Sequence, residues 1–176
     1  MTETIYIKLK RFSNEIDNYI KSIPFVDSLN FGGQIYTLKI NKDNHENILD
    51  IIKAIEYDFY ESFTVYFDLI DLEEPKLFEF LDKVDGRYNT LSDLIIYSIK
   101  NKLDIGYIKD RILSLLDKET INTALTFINI GNSIKASNAL YIHRNTLNYR
   151  IEYIKKKTGL DLKVFKDQYA FYSLML

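Results

Sequence analysis

The stretch Asn132-Ser-Ile-Lys-Ala-Ser-Asn-Ala-Leu-Tyr-Ile-His-Arg-Asn-Thr-Leu-Asn-Tyr-Arg-Ile151, continued by Glu152-Tyr-Ile-Lys-Lys-Lys-Thr-Gly-Leu-Asp-Leu162, decides how the chain is read. Gly131 and Asn132 suit a helix exit followed by a new start, because both accept left-handed or capping geometry. Asn132 or Ser133 is expected to cap a short helix with Ile134, Ser137 and Leu140 on its inner face. Tyr141, Ile142 and His143 form a turn in which Ile142 plugs the junction. A second helix then runs from about Arg144 to Lys157. Its buried stripe is Leu147, Ile151 and Ile154, at i, i+4 and i+7. Gly159 stops it after three lysines that suit the negative end of the helix dipole.

The outward face of this second helix collects Asn145, Asn148, Tyr149, Glu152 and Lys156, with Arg144 in the first turn. These are groups that read duplex DNA. A guanidinium bonds guanine in bidentate fashion, and a carboxamide does the same with adenine. His143, Thr146 and Tyr149 are donors suited to phosphate oxygens. Asn148 reaches a base or the backbone, and Arg150, toward the flank, has two uses open to it: a phosphate, or a partner within the domain. An ordinary helical hairpin with a solvated face would show the same spacing.

Charge separates these readings. Residues 120–176 carry eight Lys/Arg (Lys135, Arg144, Arg150, Lys155, Lys156, Lys157, Lys163, Lys166) against Glu152, Asp161 and Asp167, a net +5. Residues 1–119 hold 15 bases against 22 acids, a net −7, so the overall −2 hides two opposed halves. A cationic helical segment attracts phosphate by releasing counterions.

The run Leu140-x-Ile142-His143-Arg144-Asn145-Thr146-Leu147-x-Tyr149-Arg150-Ile151, followed by Thr158-Gly159-Leu160-Asp161-Leu162, resembles the C-terminal helix–turn–helix of PucR/CdaR-type transcriptional regulators. At the level of fold it is also similar to the Fis-type helix–turn–helix. The segment Thr120–Ile130 resembles the helix leading into that domain, and residues 165–176 its closing helix. The resemblance covers the last third of the chain and implies that Arg144, Asn145, Thr146, Asn148 and Tyr149 face DNA. It departs from the family at Ser137, where alanine is usual; serine is nearly as small, and its hydroxyl can bond back to the carbonyl four residues earlier. The DNA-binding set expected from spacing, charge and resemblance together is His143, Arg144, Asn145, Thr146, Asn148, Tyr149, Arg150 and Lys156.

Upstream, the periods are mixed. Ile5–Leu9 alternates weakly, and Phe12, Ile16, Tyr19, Ile20 and Ile23 have helical spacing. Residues 34–40 alternate as a strand after the Phe31-Gly32-Gly33 turn. Asp43 with Glu46 resembles a capping box for a helix carrying Ile48, Ile51, Ile52, Ile55 and Phe59. Residues 63–70 form a second firm strand, parallel to the first if the crossover is regular. Glu74-Pro75 opens a helix to about Val84, and Asp85-Gly86-Arg87 turns the chain. From Thr90 on, helices are expected to about Leu103, over 107–116, and from Lys118 or Glu119. The fold class is therefore α+β: a small N-terminal α/β unit (1–88, for dimerisation or sensing), connecting helices (89–118) and an all-α helix–turn–helix domain (119–176). The resemblance implies an upstream sensory or degenerate cyclase-like region, but Phe31-Gly32-Gly33-Gln34 lacks the acids that would hold metal and phosphate.

Other chemistries fare worse. There is no cysteine, hence no disulfide, thiolate metal site or cysteine nucleophile. His45-Glu46 with Asp50 lacks the second histidine of a zinc pair, and no phosphate-binding glycine pattern exists. Asp68, Asp71, Glu73 and Glu74 follow a strand as acidic loops commonly do. Fourteen Tyr and eleven Phe could stack on single strands, but Phe59, Phe63, Phe67, Phe78 and Phe80 have acidic neighbours and suit core or interface packing. No apolar run of membrane-spanning length or secretory segment is present. The expectation is a cytoplasmic, non-enzymatic regulator without a cofactor, bound to double-stranded DNA as a homodimer because one helix reads few base pairs. A small-molecule effector is compatible with it. The competing expectation is a non-DNA-binding adaptor whose helical domain docks a protein partner.

Overall fold

The computed structural model describes residues 2–10, 13–32, 35–59, 63–72, 74–84 and 88–176. The chain divides into two compact units, residues 1–90 and 91–176.

The first unit is built on a sheet. β1 (Thr2–Leu9) is followed by α1 (Asn14–Lys21), β2 (Val26–Gly32), β3 (Ile35–Asn41), a short 3-10 turn (Lys42–Asn44), α2 (His45–Phe59), β4 (Phe63–Asp68), α3 (Glu74–Lys83) and β5 (Tyr88–Asn89). The strand order is β2-β3-β1-β4-β5. β1 is antiparallel to both neighbours, with Ile5 opposite Leu38 on one side and Phe67 on the other. The two firm strands, β3 and β4, therefore run in the same direction as expected, but they are not adjacent. β1 lies between them and splits the β–α–β crossover, so β1 to β4 follow the ferredoxin-like β-α-β-β-α-β pattern. α3 then leads to β5, which pairs with β4 in parallel.

Alternation explains the core. Ile5, Ile7 and Leu9, Tyr36, Leu38 and Ile40, and Phe63, Val65 and Phe67 share one buried cluster with Ile16 and Ile20 of α1 and Ile48, Ile52 and Ile55 of α2. Tyr6 and Tyr66 pack with the aromatics of α3. Tyr6 meets Phe78 edge-on at 6.1 Å, and Tyr66 meets Phe80 at 5.8 Å. Asp17, buried on α1, accepts from the Tyr36 hydroxyl at 3.0 Å and from Lys21 Nζ at 2.7 Å. Asp68 ends β4 by accepting from the amides of Ile70 and Leu72, at 3.2 and 2.7 Å.

Some sequence expectations need correction here. Phe31 and Gly32, expected in a turn, end β2 instead. The sequence reading expects neither β2, whose mostly exposed side chains show no alternation of burial at the sheet edge, nor two-residue β5, which is too short for a period. Asp43 lies inside the 3-10 turn, with its amide bonded to Asn41 Oδ1, and α2 starts two residues later. Phe12, the Gly33-Gln34 pair and the Asp85-Gly86-Arg87 turn fall outside the described residues, as do the side chains of His45, Glu46, Phe59, Glu73 and Glu74.

The second unit is all helix: α4 (Leu91–Lys100), α5 (Gly106–Leu115), α6 (Lys118–Ile130), α7 (Ser133–Ala139), α8 (Arg144–Thr158) and α9 (Phe165–Met175). α6, α7 and α8 pack on one another, and α9 packs on α4 and α6. The protein is thus α+β, and no helix among the described residues is long and apolar enough to cross a membrane.

Candidate nucleic-acid interface

Three capped junctions set the geometry of the helices around α8. Asp117 caps α6 by accepting from Thr120 N at 2.7 Å, and this amide holds the Asp117 carboxyl below the usual carboxylate range. Gly131 leaves α6 with φ 65°, a conformation that costs glycine little. Asn132 Oδ1 then accepts from the amides of Ile134 and Lys135, both at 3.0 Å, and so caps α7.

α7 meets its neighbours through small side chains. Ala136 and Ser137 are buried, Leu140 is half-buried, and Ile134 is 57% exposed. The expectation that Ile134 faces inward is therefore wrong, whereas Ser137 sits in the packed face where its small size matters. Its hydroxyl bonds to the carbonyl of Ile134, three residues back and not the expected four. Small residues let α7 approach α6 and α8 closely, which leaves no space for an isoleucine at that contact.

The turn into α8 closes tightly. Ile142 N bonds Ser137 O at 3.0 Å and Tyr141 N bonds Asn138 O at 3.1 Å, with Tyr141 left-handed at φ 54°. His143 is the N-cap of α8: its Nδ1 accepts from Asn145 N at 3.2 Å. That bond turns the Nδ1 edge of the ring toward the first turn of α8.

Along α8, Leu147, Ile151, Ile154 and Thr158 are buried, as the 3.6-residue period requires. His143, Arg144, Asn145, Thr146, Asn148, Tyr149 and Lys156 are all exposed. Tyr149, 70% exposed, stacks on Tyr153 with ring centroids 6.4 Å apart, and Lys157 Nζ lies 5.5 Å from the Tyr153 ring centre. These residues stand at i, i+4 and i+8 and form a ladder along one flank of the helix.

Arg150 is placed differently. Its Nη2 donates to Glu119 Oε1 at 2.6 Å and its Nη1 to Thr123 Oγ1 at 3.0 Å, and its side chain is 18% exposed. Of the two uses open to it, the structure shows pairing within the domain, because Arg150 projects toward α6 and away from the outer face.

The other cations divide in the same way. Lys155 bonds Asp161 at 2.8 Å, which raises the lysine and lowers the carboxyl. Lys163 bonds Glu152, and Lys166 bonds Asp93 at 2.7 Å. Lys135, Arg144, Lys156 and Lys157 have no acidic partner among the described residues. The positive charge read from sequence is thus left to four cations without an acidic partner, three of them on α8. No group of His, Cys, Asp and Glu that could hold a metal occurs among the described residues.

A short helix, a tight turn and a second helix with a packed inner face and a polar outer face define the helix–turn–helix class. Residues 120–176 match the family of PucR C-terminal helix-turn-helix domains. A stretch of 39 residues is 51% identical to the carbohydrate diacid regulator of Escherichia coli (strain K12). That match spans 22% of this chain and 10% of the relative. A regulator of polyketide synthase expression from Bifidobacterium adolescentis, known from its crystal structure, aligns over 99% of this chain and 78% of its own at 13% identity, with a TM-score of 0.48.

Proposed function

We propose that this protein is a sequence-specific DNA-binding transcriptional regulator that reads the major groove with the helix 144–157. The observation that carries the reading is the outer face of α8. Arg144, Asn145, Thr146, Asn148, Tyr149 and Lys156 are exposed there, while the one other arginine of the helix is engaged inside the fold. A major groove about 12 Å wide admits such a helix. Arg144 and Asn145 at the first turn supply base-edge donors and acceptors, and His143, Thr146, Tyr149 and Lys156 serve phosphates. The family match of residues 120–176 and the named role of the carbohydrate diacid regulator support the same conclusion.

One helix reads a handful of base pairs, so two copies acting on two half-sites supply useful affinity. The protein acts as a homodimer in the cytoplasm, with residues 1–90 serving dimerisation or effector sensing. Selection of genomic fragments by the purified chain tests the reading: recovery of a shared two-fold-symmetric motif supports it. Absence of any enriched fragment at low salt refutes it and favours a protein-docking adaptor. A monomer by light scattering at tens of micromolar removes the dimer.

A further inference from the structure

Tyr141 has a conformation and an exposure that packing does not explain. It occupies the left-handed position at the end of α7, closed on both sides by the bonds Tyr141 N–Asn138 O and Ile142 N–Ser137 O. This is the helix-ending arrangement in which glycine is the usual resident, because a Cβ there crowds the following carbonyl. At the ends of α6 and α8 this chain does place glycine, Gly131 and Gly159. Asp71 and Lys102 are also left-handed, and of these aspartate is a residue enriched in that region. Tyr141 is the one aromatic with positive φ among the described residues.

The ring gains nothing from the fold in return. Tyr141 is 96% exposed, the highest value among the large apolar and aromatic side chains of the described residues. A residue that strains the backbone and buries nothing is explained by something outside the chain. Its place says what that is. Tyr141 stands two residues before the His143 cap and three before Arg144, at the end of α8 that carries the base-reading groups. A helix that enters the major groove by its first turn brings the preceding turn against the strand lining the groove. That strand presents phosphate oxygens, for which a phenol hydroxyl is a donor.

We infer that Tyr141 is a DNA-backbone contact that anchors the helix–turn–helix turn by donating its hydroxyl to a phosphate at the groove edge. The inference rests on the reading of α8 as the groove-reading helix and adds to it a residue outside that helix. The contact carries no base information, so it strengthens all duplex binding and sets the depth at which Arg144 and Asn145 meet the bases.

The test uses the full chain and a labelled duplex recovered by selection from a random-sequence library. Tyr141→Gly is expected to keep or raise the melting temperature, since it relieves the backbone, while duplex affinity falls about tenfold. Tyr141→Phe keeps the ring and is expected to lose most of that factor. A set of duplexes, each with a single neutral methylphosphonate linkage, should contain one that weakens the unmodified chain but not Tyr141→Phe. Full affinity in Tyr141→Gly, alongside loss of binding in Arg144→Ala, overturns this inference and leaves the reading of α8 standing. Failure of the unmodified chain to bind any duplex at low salt overturns both.

Discussion

Arg150 on α8 is tied to Glu119 on α6 by a bond of 2.6 Å, and the same guanidinium reaches Thr123, whose hydroxyl in turn donates to the Glu119 carbonyl at 2.8 Å. A cation that sequence alone leaves free for phosphate is thereby part of the clamp that sets the angle of α8. Arg150→Ala should lower stability by roughly 1–2 kcal/mol, because a largely buried charged donor and its acceptors lose one another. Glu119→Gln, at the exposed end of the pair, should cost less than about 1 kcal/mol. Urea unfolding followed by circular dichroism measures both. Duplex binding by Arg150→Ala at a temperature where it is folded should keep the salt dependence of the parent; a shallower dependence would show that Arg150 neutralises a phosphate after all.

The cap at His143 makes a second prediction. His143→Ala removes the acceptor for Asn145 N and should cost about 1 kcal/mol, whereas His143→Asn should restore most of it, since asparagine is among the preferred N-cap residues. Both substitutions remove the imidazole. Duplex affinity that follows stability, weak in the alanine variant and recovered in the asparagine variant, assigns His143 to positioning. Equal loss in the two variants assigns it to a DNA contact.

Two carboxylates of the first unit respond to acid with opposite sign. The Lys21 ammonium bonded to Asp17 holds that carboxyl below the usual range, helped by the Tyr36 hydroxyl. Its contribution to stability is present above the unfolded carboxylate value of about 4 and is lost as pH falls through the lower folded value. Burial instead pushes the Asp68 carboxyl up, against the pull of the Leu72 and Ile70 amides. Its contribution is fully present below the unfolded value and is lost as pH rises through the folded one. In a series of urea midpoints against pH, Asp17→Asn should flatten the acid limb. Asp68→Asn should flatten the decline above about pH 4. An acid limb unchanged in Asp17→Asn would mean that the Asp17–Lys21 bond contributes nothing to folding.

Much of this was legible from residue order, and the rest fails for identifiable reasons. Leu147, Ile151 and Ile154 announce α8 because a helix buried on one side must repeat every 3.6 residues. Asn132 and Gly131 announce the junction before α7 because cap chemistry is local. By contrast, β2 lies at a sheet edge, where most of its side chains are exposed and no alternation is imposed. The insertion of β1 between β3 and β4 is a matter of partner choice, which periodicity within each strand does not encode. Ile134 misleads because helical spacing points an apolar residue inward, whereas α7 packs through Ala136 and Ser137. At the interface, the exposure of Arg144, Asn145 and Tyr149 follows from the buried stripe, but the diversion of Arg150 depends on Glu119 and Thr123, 31 and 27 residues away. Tyr141 escapes a reading by residue type because its distinguishing property is a backbone angle.

The most direct measurement is equilibrium binding of the full chain to its selected duplex, by fluorescence anisotropy, between about 50 and 200 mM KCl. With Lys135, Arg144, Lys156 and Lys157 available on each of two copies, the account predicts a log–log salt slope of about −7. It also predicts that Arg144→Ala and Asn145→Ala, with unchanged circular dichroism, lose preference for the selected sequence over a scrambled one. No binding at the lowest salt, or full selectivity in both folded variants, would contradict the assignment of α8 as the helix that reads DNA.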